Sequence, residues 1–148
     1  MGRILDYLKE NAPKARIFIN KTWAYEVDST HECFIRYNRN QAEMFEKLSA
    51  AYKIVADKYS LPLIPSGDLI QGLRASGYFP GEQGRSICRD GFHMNFLYGR
   101  YALAALWAKY MVGINIKENT FVPNVDFVDH EEVDAGILNV IKNMVEEL

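Results

Sequence analysis

The chain has little cysteine, and this scarcity excludes one class of protein. Of its 148 residues only Cys33 and Cys88 are cysteines, and no Cys-x-x-Cys pair occurs. Two cysteines cannot form the disulfide framework of a small secreted scaffold, although one bridge between them is compatible with the sequence. We expect both to behave as small buried hydrophobic side chains.

The chain also lacks an excess of basic residues and a long apolar run. Its 17 lysines and arginines are outnumbered by 19 aspartates and glutamates, giving a formal net charge of -2. Nucleic-acid-binding domains usually carry a basic face, so we expect no nucleic-acid partner. The most apolar stretch, 101–116, is interrupted by Lys109 and is too short to span a membrane. The charged residues 1–6 do not resemble a signal peptide, and the compartment stays unassigned.

Alternating helical and apolar patterns predict an α/β fold. Short buried strands are expected at 16–20 and 61–65, with helices before, between and after them. Strands joined by helices pair in parallel, and 148 residues suit a single domain spanning 1–148. Two parallel strands rarely form a stable sheet alone. We therefore expect the chain to be part of a larger sheet, with few parallel strands and several helices of its own.

Local signals predict where these helices begin. Asn40 followed by Glu43 resembles a capping box for a helix reaching to residue 59. Ser66 is expected to cap a helix over 68–76. An apolar helix over 94–112 is expected directly after His93, and Asp129 with Glu132 is expected to cap the last helix.

Asp90 and His93 have a spacing that acid–base chemistry can use. The aspartate can accept the Nδ1 proton of the imidazole, which leaves Nε2 free to take a proton from a nucleophile. Gly91 between them permits a tight turn that points both side chains one way. The same spacing is also typical of a polar loop in which the aspartate only caps the next helix.

Three segments are expected to surround one cleft beyond the carboxyl ends of the strands. They are residues 20–23, 66–68 and 90–93. Trp23 and Tyr25 are either core aromatics or walls for a sugar or an acyl group, because flat rings with a polar tip suit such ligands. The convergence of these segments predicts a binding site.

Arg74 and the metal-ligand residue types leave further alternatives. Arg74 either pairs with an acid such as Asp68 on its own helix or lines the cleft, and the pairing is the simpler interpretation. None of the following residues has the spacing of a zinc or other metal site: His31, Glu32, Cys33, Cys88, Asp90, His93 and His130. We therefore predict no metal and no other cofactor.

Several blocks occur in a characteristic order: Thr22-Trp23-Ala24-Tyr25, Ile64-Pro65-Ser66-Gly67-Asp68 with Ile70, Gln71 and Arg74, Arg89-Asp90-Gly91-Phe92-His93, and Gly99-Arg100-Tyr101. Over roughly residues 1 to 125 this set resembles a bacterial group of the SGNH (GDSL-type) hydrolases, whose final Asp-x-x-His block supplies the acid and base of a Ser-His-Asp triad. The resemblance implies a partial three-layer α/β/α fold of the flavodoxin-like, SGNH-hydrolase type, with few parallel strands and several helices. It also implies a serine esterase acting on small-molecule or carbohydrate esters. Asp90 and His93 would be catalytic, and Trp23, Tyr25 and Arg74 would bind substrate.

The chain departs from that family in its nucleophile. No Gly-Asp-Ser-like block and no oxyanion-hole Gly and Asn blocks are visible, and Ser29, Ser66 and Ser86 lie outside any Gly-x-Ser-x-Gly elbow. We therefore expect the chain to correspond to the C-terminal half of such a hydrolase, with the serine in a missing N-terminal half. Relatives of this kind are often exported, by a signal that would lie upstream of Met1. The alternative is a non-catalytic α/β module that self-associates through an exposed sheet edge.

Overall fold

The computed structural model describes residues 1–81, 84–124 and 132–148 and shows a mixed α/β architecture rich in helix, as predicted. The five helices and two strands of the described residues are α1 (Gly2–Asn11), β1 (Ile19–Asn20), α2 (Gln41–Tyr59), β2 (Leu63–Ile64), α3 (Ser66–Ala75), α4 (Tyr98–Val112) and α5 (Ala135–Glu147). Two 3₁₀ helices, Glu32–Tyr37 and Ile116–Glu118, stand in the connections.

The two strands form a short parallel sheet. Ile19 pairs with Leu63 and Asn20 with Ile64. The predicted five-residue strands were too long. In the second, prolines at 62 and 65 flank the pair, and proline has no backbone N–H to give to a ladder. Both described strands therefore end at the same edge, where the chain continues into residues 21–25 and into α3.

Two predicted helix starts are confirmed or corrected by their caps. Asn40 caps α2 as predicted, because its side chain accepts a hydrogen bond from the Glu43 amide at 3.0 Å. Ser66 is not a cap but the first residue of α3, and its buried hydroxyl donates to the Asn20 side chain at 2.5 Å. The predicted cap Asp129 lies outside the described residues. Asp134 caps α5 by accepting from the Gly136 amide at 2.7 Å.

The helix predicted to begin directly after His93 begins only at Tyr98. Residues 87–95 form a small antiparallel hairpin instead, with a bridge between Cys88 and Met94. The Arg89 amide donates to the His93 carbonyl at 2.8 Å, and the Asn95 amide donates to the Ile87 carbonyl at 2.8 Å. The segment 89–93 is therefore the turn of a hairpin, a structure that helical periodicity cannot reveal.

Two groups of buried side chains hold the described elements together. The larger one packs α3, α4 and α5 on each other and on β2. The smaller one consists of Ala24, Phe34 and Met44, with Tyr25 and Leu48 against it. Within the described residues no helix has the length and hydropathy of a membrane span. The hairpin turn 89–93 lies beside the smaller group, and the candidate functional site lies between the two.

Candidate functional site

The hairpin turn brings Asp90 and His93 together through both side chain and backbone. Asp90 Oδ2 lies 2.8 Å from His93 Nδ1. The other carboxylate oxygen, Oδ1, accepts from the backbone amides of His93 at 2.8 Å and Phe92 at 3.3 Å. Asp90 thus contacts the imidazole, but it does not cap the next helix as the alternative interpretation expected, because its Oδ1 caps the hairpin turn and α4 begins only at Tyr98.

These contacts keep the Asp90 carboxylate ionised. Desolvation raises its pKa, but the hydrogen bonds from the His93 amide, the His93 ring and the Phe92 amide outweigh that effect and lower the pKa to about 2. An ionised Asp90 can only accept hydrogen bonds, so Nδ1 of His93 carries the proton between them. His93 Nε2 is then the ring nitrogen left with a free lone pair.

His93 lies at a pocket of about 380 Å³. The His93 side chain is 55% exposed and the Asp90 side chain is 40% exposed. The other lining residues are mostly aromatic or apolar: Thr22, Trp23, Tyr25, Cys33, Arg36, Tyr37, Met44, Leu48 and Phe92. Since the pocket has the volume of a small ligand, a base at this position can act on a bound molecule.

Trp23 and Tyr25 line the same pocket as His93. The Trp23 indole N–H donates to the Phe92 carbonyl at 2.7 Å, which ties the loop after β1 to the hairpin turn. The Phe92 ring lies 4.2 Å from the His93 ring and 5.7 Å from that of Tyr25, measured between centroids. The structure therefore brings Trp23, Tyr25 and His93 to one cavity, as predicted for the segments 20–23 and 90–93, but the third predicted segment, 66–68, does not line it.

Arg74 lies elsewhere, and its predicted pairing with Asp68 is wrong. Asp68 instead contacts Lys21, at 2.5 Å. Arg74 Nε lies 3.2 Å from Glu26 Oε2, and both side chains are almost fully buried. A guanidinium in the interior requires a buried counterion, which an acid in the first turn of the same helix cannot supply. Arg74 is behind the loop that carries Trp23 and does not line the pocket around His93.

No serine of the described residues lines the pocket. The Ser66 hydroxyl donates to Asn20, and the Ser86 hydroxyl donates to Glu26 at 3.0 Å. Ser29 is buried beside Gly91. The hydroxyls and the thiol on the pocket wall belong to Thr22, Tyr25, Tyr37 and Cys33.

The two cysteines are free and differ in burial, since Cys88 is buried as expected whereas Cys33 is only partly buried. Burial, with a further contribution from the Glu26 charge, raises the pKa of the Cys88 thiol, so Cys88 is not a nucleophile. Cys33 is partly exposed at the pocket. Within the described part of the chain, no group of three or more His, Cys, Asp and Glu side chains is placed to hold a metal ion, and the candidate ligand His130 lies outside it.

Glu26 is the buried residue that the sequence analysis missed. It follows Trp23, Ala24 and Tyr25 in the loop after β1. The only signal for it in the sequence was an acidic residue beside a run of aromatic residues.

His31, considered above as a metal ligand, caps the first 3₁₀ helix, with its Nδ1 accepting from the Cys33 amide at 3.1 Å.

Comparison with known proteins gives one family and one solved structure. The family model described as "Domain of unknown function (DUF4886)" matches residues 1–140. The chain is similar to the crystal structure of a DUF4886 family protein from Bacteroides uniformis ATCC 8492, with a TM-score of 0.80 and 26% sequence identity over 97% of this chain and 52% of that one. It therefore spans about half the length of that protein. No curated protein matches.

Proposed function

The chain belongs to the DUF4886 family, and on that premise we propose that it supplies the acid–base pair of a serine esterase of the SGNH-hydrolase type. The observation that carries the proposal is the 2.8 Å contact between Asp90 Oδ2 and His93 Nδ1 at an aromatic pocket. A carboxylate that holds the Nδ1 proton keeps Nε2 available as a general base. The resemblance of the ordered sequence blocks to SGNH hydrolases supports the same assignment.

The proposed reaction is ester hydrolysis through an acyl-enzyme. His93 Nε2 takes the proton of a serine hydroxyl as the serine oxygen attacks the carbonyl carbon. It then gives that proton to the departing alcohol when the carbon–oxygen bond of the ester breaks. A water molecule, deprotonated by the same nitrogen, then attacks the acyl carbon; the bond to the serine oxygen breaks, the acid leaves, and the imidazolium returns the proton to the serine. Asp90 stays ionised and stabilises the imidazolium in each step.

The pocket supports a small ester as substrate. Its volume of about 380 Å³ accommodates an acyl group or a single sugar ring. Trp23, Tyr25 and Phe92 present flat apolar rings, and Trp23 and Tyr25 also carry a polar tip, which suits the faces of a sugar as well as an acyl chain. We therefore propose a small-molecule or carbohydrate ester.

The nucleophile in this proposal comes from polypeptide outside residues 1–148. No serine of the described residues lines the pocket, so the base lacks its partner there. The similar DUF4886 protein of Bacteroides uniformis is about twice as long as the region that this chain covers. We propose that further polypeptide of that kind places a serine hydroxyl and oxyanion-hole donors next to His93 Nε2.

Hydrolysis of an aryl acetate, followed by release of the phenol, tests the proposal. The chain alone is expected to show no appreciable turnover. The chain joined to the polypeptide encoded directly upstream of its Met1 codon is expected to hydrolyse the ester, and His93→Ala is expected to abolish that rate. His31→Gln is the matched control, because His31 packs on the same Phe92 ring, at 5.0 Å, without contacting Asp90. Robust His93-dependent turnover by the chain alone, or a rate unaffected by His93→Ala in the joined protein, contradicts the proposal.

Exposed apolar side chains next to the sheet favour a second candidate, a self-associating module without catalysis. Trp107 is exposed over 41% and Met111 over 43% of their surfaces. The Trp107 indole contacts Ser66, whose hydroxyl in turn contacts Asn20 in β1, and in the described residues β1 has a strand on one side only. An unpaired strand edge flanked by apolar side chains is a typical surface for association between copies.

Light scattering after size exclusion distinguishes this candidate. A self-associating chain is expected to elute as a dimer or larger species that Met111→Glu converts to monomer. Ile54→Glu is the matched control, because Ile54 is an equally large apolar side chain that is 67% exposed on α2. A monomer at every concentration tested contradicts the candidate.

A further inference from the structure

We propose that Glu26 and Arg74 form a buried ion pair whose role is to position the hairpin turn that carries Asp90 and His93. The Asp90–His93 pair is exposed, so few packing contacts fix its geometry directly. Glu26 and Arg74 are exposed over only 4% and 7% of their side chains. The two residues lie behind the pocket and are positioning residues rather than catalytic ones.

Glu26 contacts the hairpin at two points and Ser86, the residue directly before it, at a third. Its Oε1 accepts from the Ser86 hydroxyl at 3.0 Å and from the Cys88 amide at 3.2 Å. Its own backbone amide donates to the Gly91 carbonyl at 2.8 Å. One buried residue therefore holds the incoming strand of the hairpin and the turn residue between Asp90 and Phe92.

Arg74 fixes Glu26 to the rest of the fold. Its guanidinium faces Glu26 Oε2 at 3.2 Å, donates to the Ala24 carbonyl at 3.0 Å and lies 3.7 Å from Cys88 Sγ. Because Arg74 stands on α3, the pair connects that helix, the loop that carries Trp23 and the hairpin. Removing one member of such a pair leaves the other as an uncompensated buried charge, so a substitution of either residue is expected to disturb the contacts of both.

The ion pair also connects the two segments that line the pocket, which are distant from each other in sequence. The loop after β1 supplies Trp23 and Tyr25, and the hairpin supplies Phe92 and His93. Glu26 lies one residue beyond Tyr25 and contacts the hairpin directly. A shift of the Glu26 carboxylate is therefore expected to move the imidazole relative to the aromatic wall. The catalytic meaning of this positioning depends on the proposed function, but the geometry itself does not.

Nitrogen-15 NMR of the histidine rings in the isolated chain tests the inference without any activity. The Asp90 contact is expected to give His93 a single neutral tautomer, protonated on Nδ1. Glu26→Gln is expected to replace it with a mixture of tautomers and to accelerate hydrogen exchange of the His93 amide at least about tenfold. Glu146→Gln is the matched control. Glu146 also pairs with a partly buried cation, Lys109 at 3.5 Å, and accepts a backbone amide, but it does not touch the hairpin.

Two milder variants carry the test if Glu26→Gln does not fold. Ser86→Ala removes one hydrogen bond to Glu26. Arg74→Lys keeps the positive charge but loses the planar guanidinium, which also donates to the Ala24 carbonyl. Both are expected to change the His93 tautomer ratio. The ratio in Arg74→Lys is expected to lie closer to that of the unsubstituted chain than the ratio in Ser86→Ala does. An unchanged His93 spectrum in the folded variants overturns the inference. An equal change in Glu146→Gln also overturns it, because general loss of stability would then be the cause. Neither outcome bears on ester hydrolysis, which tests the proposed function separately.

Discussion

Substituting Gly91 by alanine tests whether the hairpin turn sets the Asp90–His93 geometry. Gly91 has a φ of +84°, a conformation that costs side-chain-bearing residues free energy. A Cβ there would also lie 3.0 Å from Ser29 Oγ and 3.2 Å from Ser29 Cα. Ser29 is buried and cannot move without shifting the backbone of its loop. Gly91→Ala therefore combines a conformational cost with a steric one.

Gly77 allows the two costs to be separated. It has nearly the same φ, +80°, and a Cβ there would meet nothing within 4 Å. Gly77→Ala is thus expected to lower the free energy of unfolding by about 1–2 kcal/mol, the cost of left-handed backbone alone. Gly91→Ala is expected to lower it by about 1–3 kcal/mol more, the usual cost of overpacking. The total for Gly91→Ala is then about 2–5 kcal/mol.

Urea denaturation followed by circular dichroism measures both free energies, and histidine NMR on the folded variants measures the site. We predict that Gly91→Ala disturbs the single His93 tautomer and that Gly77→Ala leaves it unchanged. Equal destabilisation by the two substitutions would refute the steric argument. An undisturbed His93 tautomer in Gly91→Ala would refute the claim that this turn holds the imidazole.

Three further predictions concern the same site. The pKa of Asp90 is lowered from 3.8 to about 2, so its stabilisation is present above pH 3.8 and is lost as the pH falls through about 2. Without solvent screening, the full shift would correspond to about 2 kcal/mol. Because Asp90 is 40% exposed and screened by solvent, we expect acid titration of stability to show about 1 kcal/mol that Asp90→Asn lacks. Trp23→Phe removes the donor to the Phe92 carbonyl and should lower the free energy of unfolding by about 1 kcal/mol in urea denaturation. Cys88, buried and with a raised pKa, should resist a disulfide reagent in the native protein and react once the chain is unfolded in urea; rapid native reaction at Cys88 contradicts this.

Patterns with a local physical cause were readable from the sequence. The Asn40 cap and the extent of α2 to residue 59 depend on residues within one helix, and both predictions are confirmed. The parallel pairing of two short strands follows from the helices between them and is also confirmed. The spacing of Asp90 and His93 predicted that a tight turn points both side chains one way, and their 2.8 Å contact agrees with that prediction.

Features that depend on distant partners were not readable. The start of α4 was predicted too early, because the bridge between Cys88 and Met94 competes with helix over these residues. The partner of Arg74 is 48 residues away in sequence, whereas the sequence analysis chose Asp68 because it lies on the same helix. The contacts of Glu26 arise only in the folded chain, where burial brings its carboxylate against the backbone amide of Cys88 in the hairpin. Long-range ion pairs of this kind leave no spacing pattern.

Labelling with a fluorophosphonate tests the central claim, that His93 is the base for a serine outside this chain. The reagent is applied to the chain joined to the polypeptide encoded upstream of Met1, and mass spectrometry locates the adduct. We predict one modified serine outside residues 1–148, and a labelling rate that His93→Ala lowers by about a thousandfold or more. An adduct within residues 1–148, or a labelling rate that His93→Ala leaves unchanged, would contradict the account.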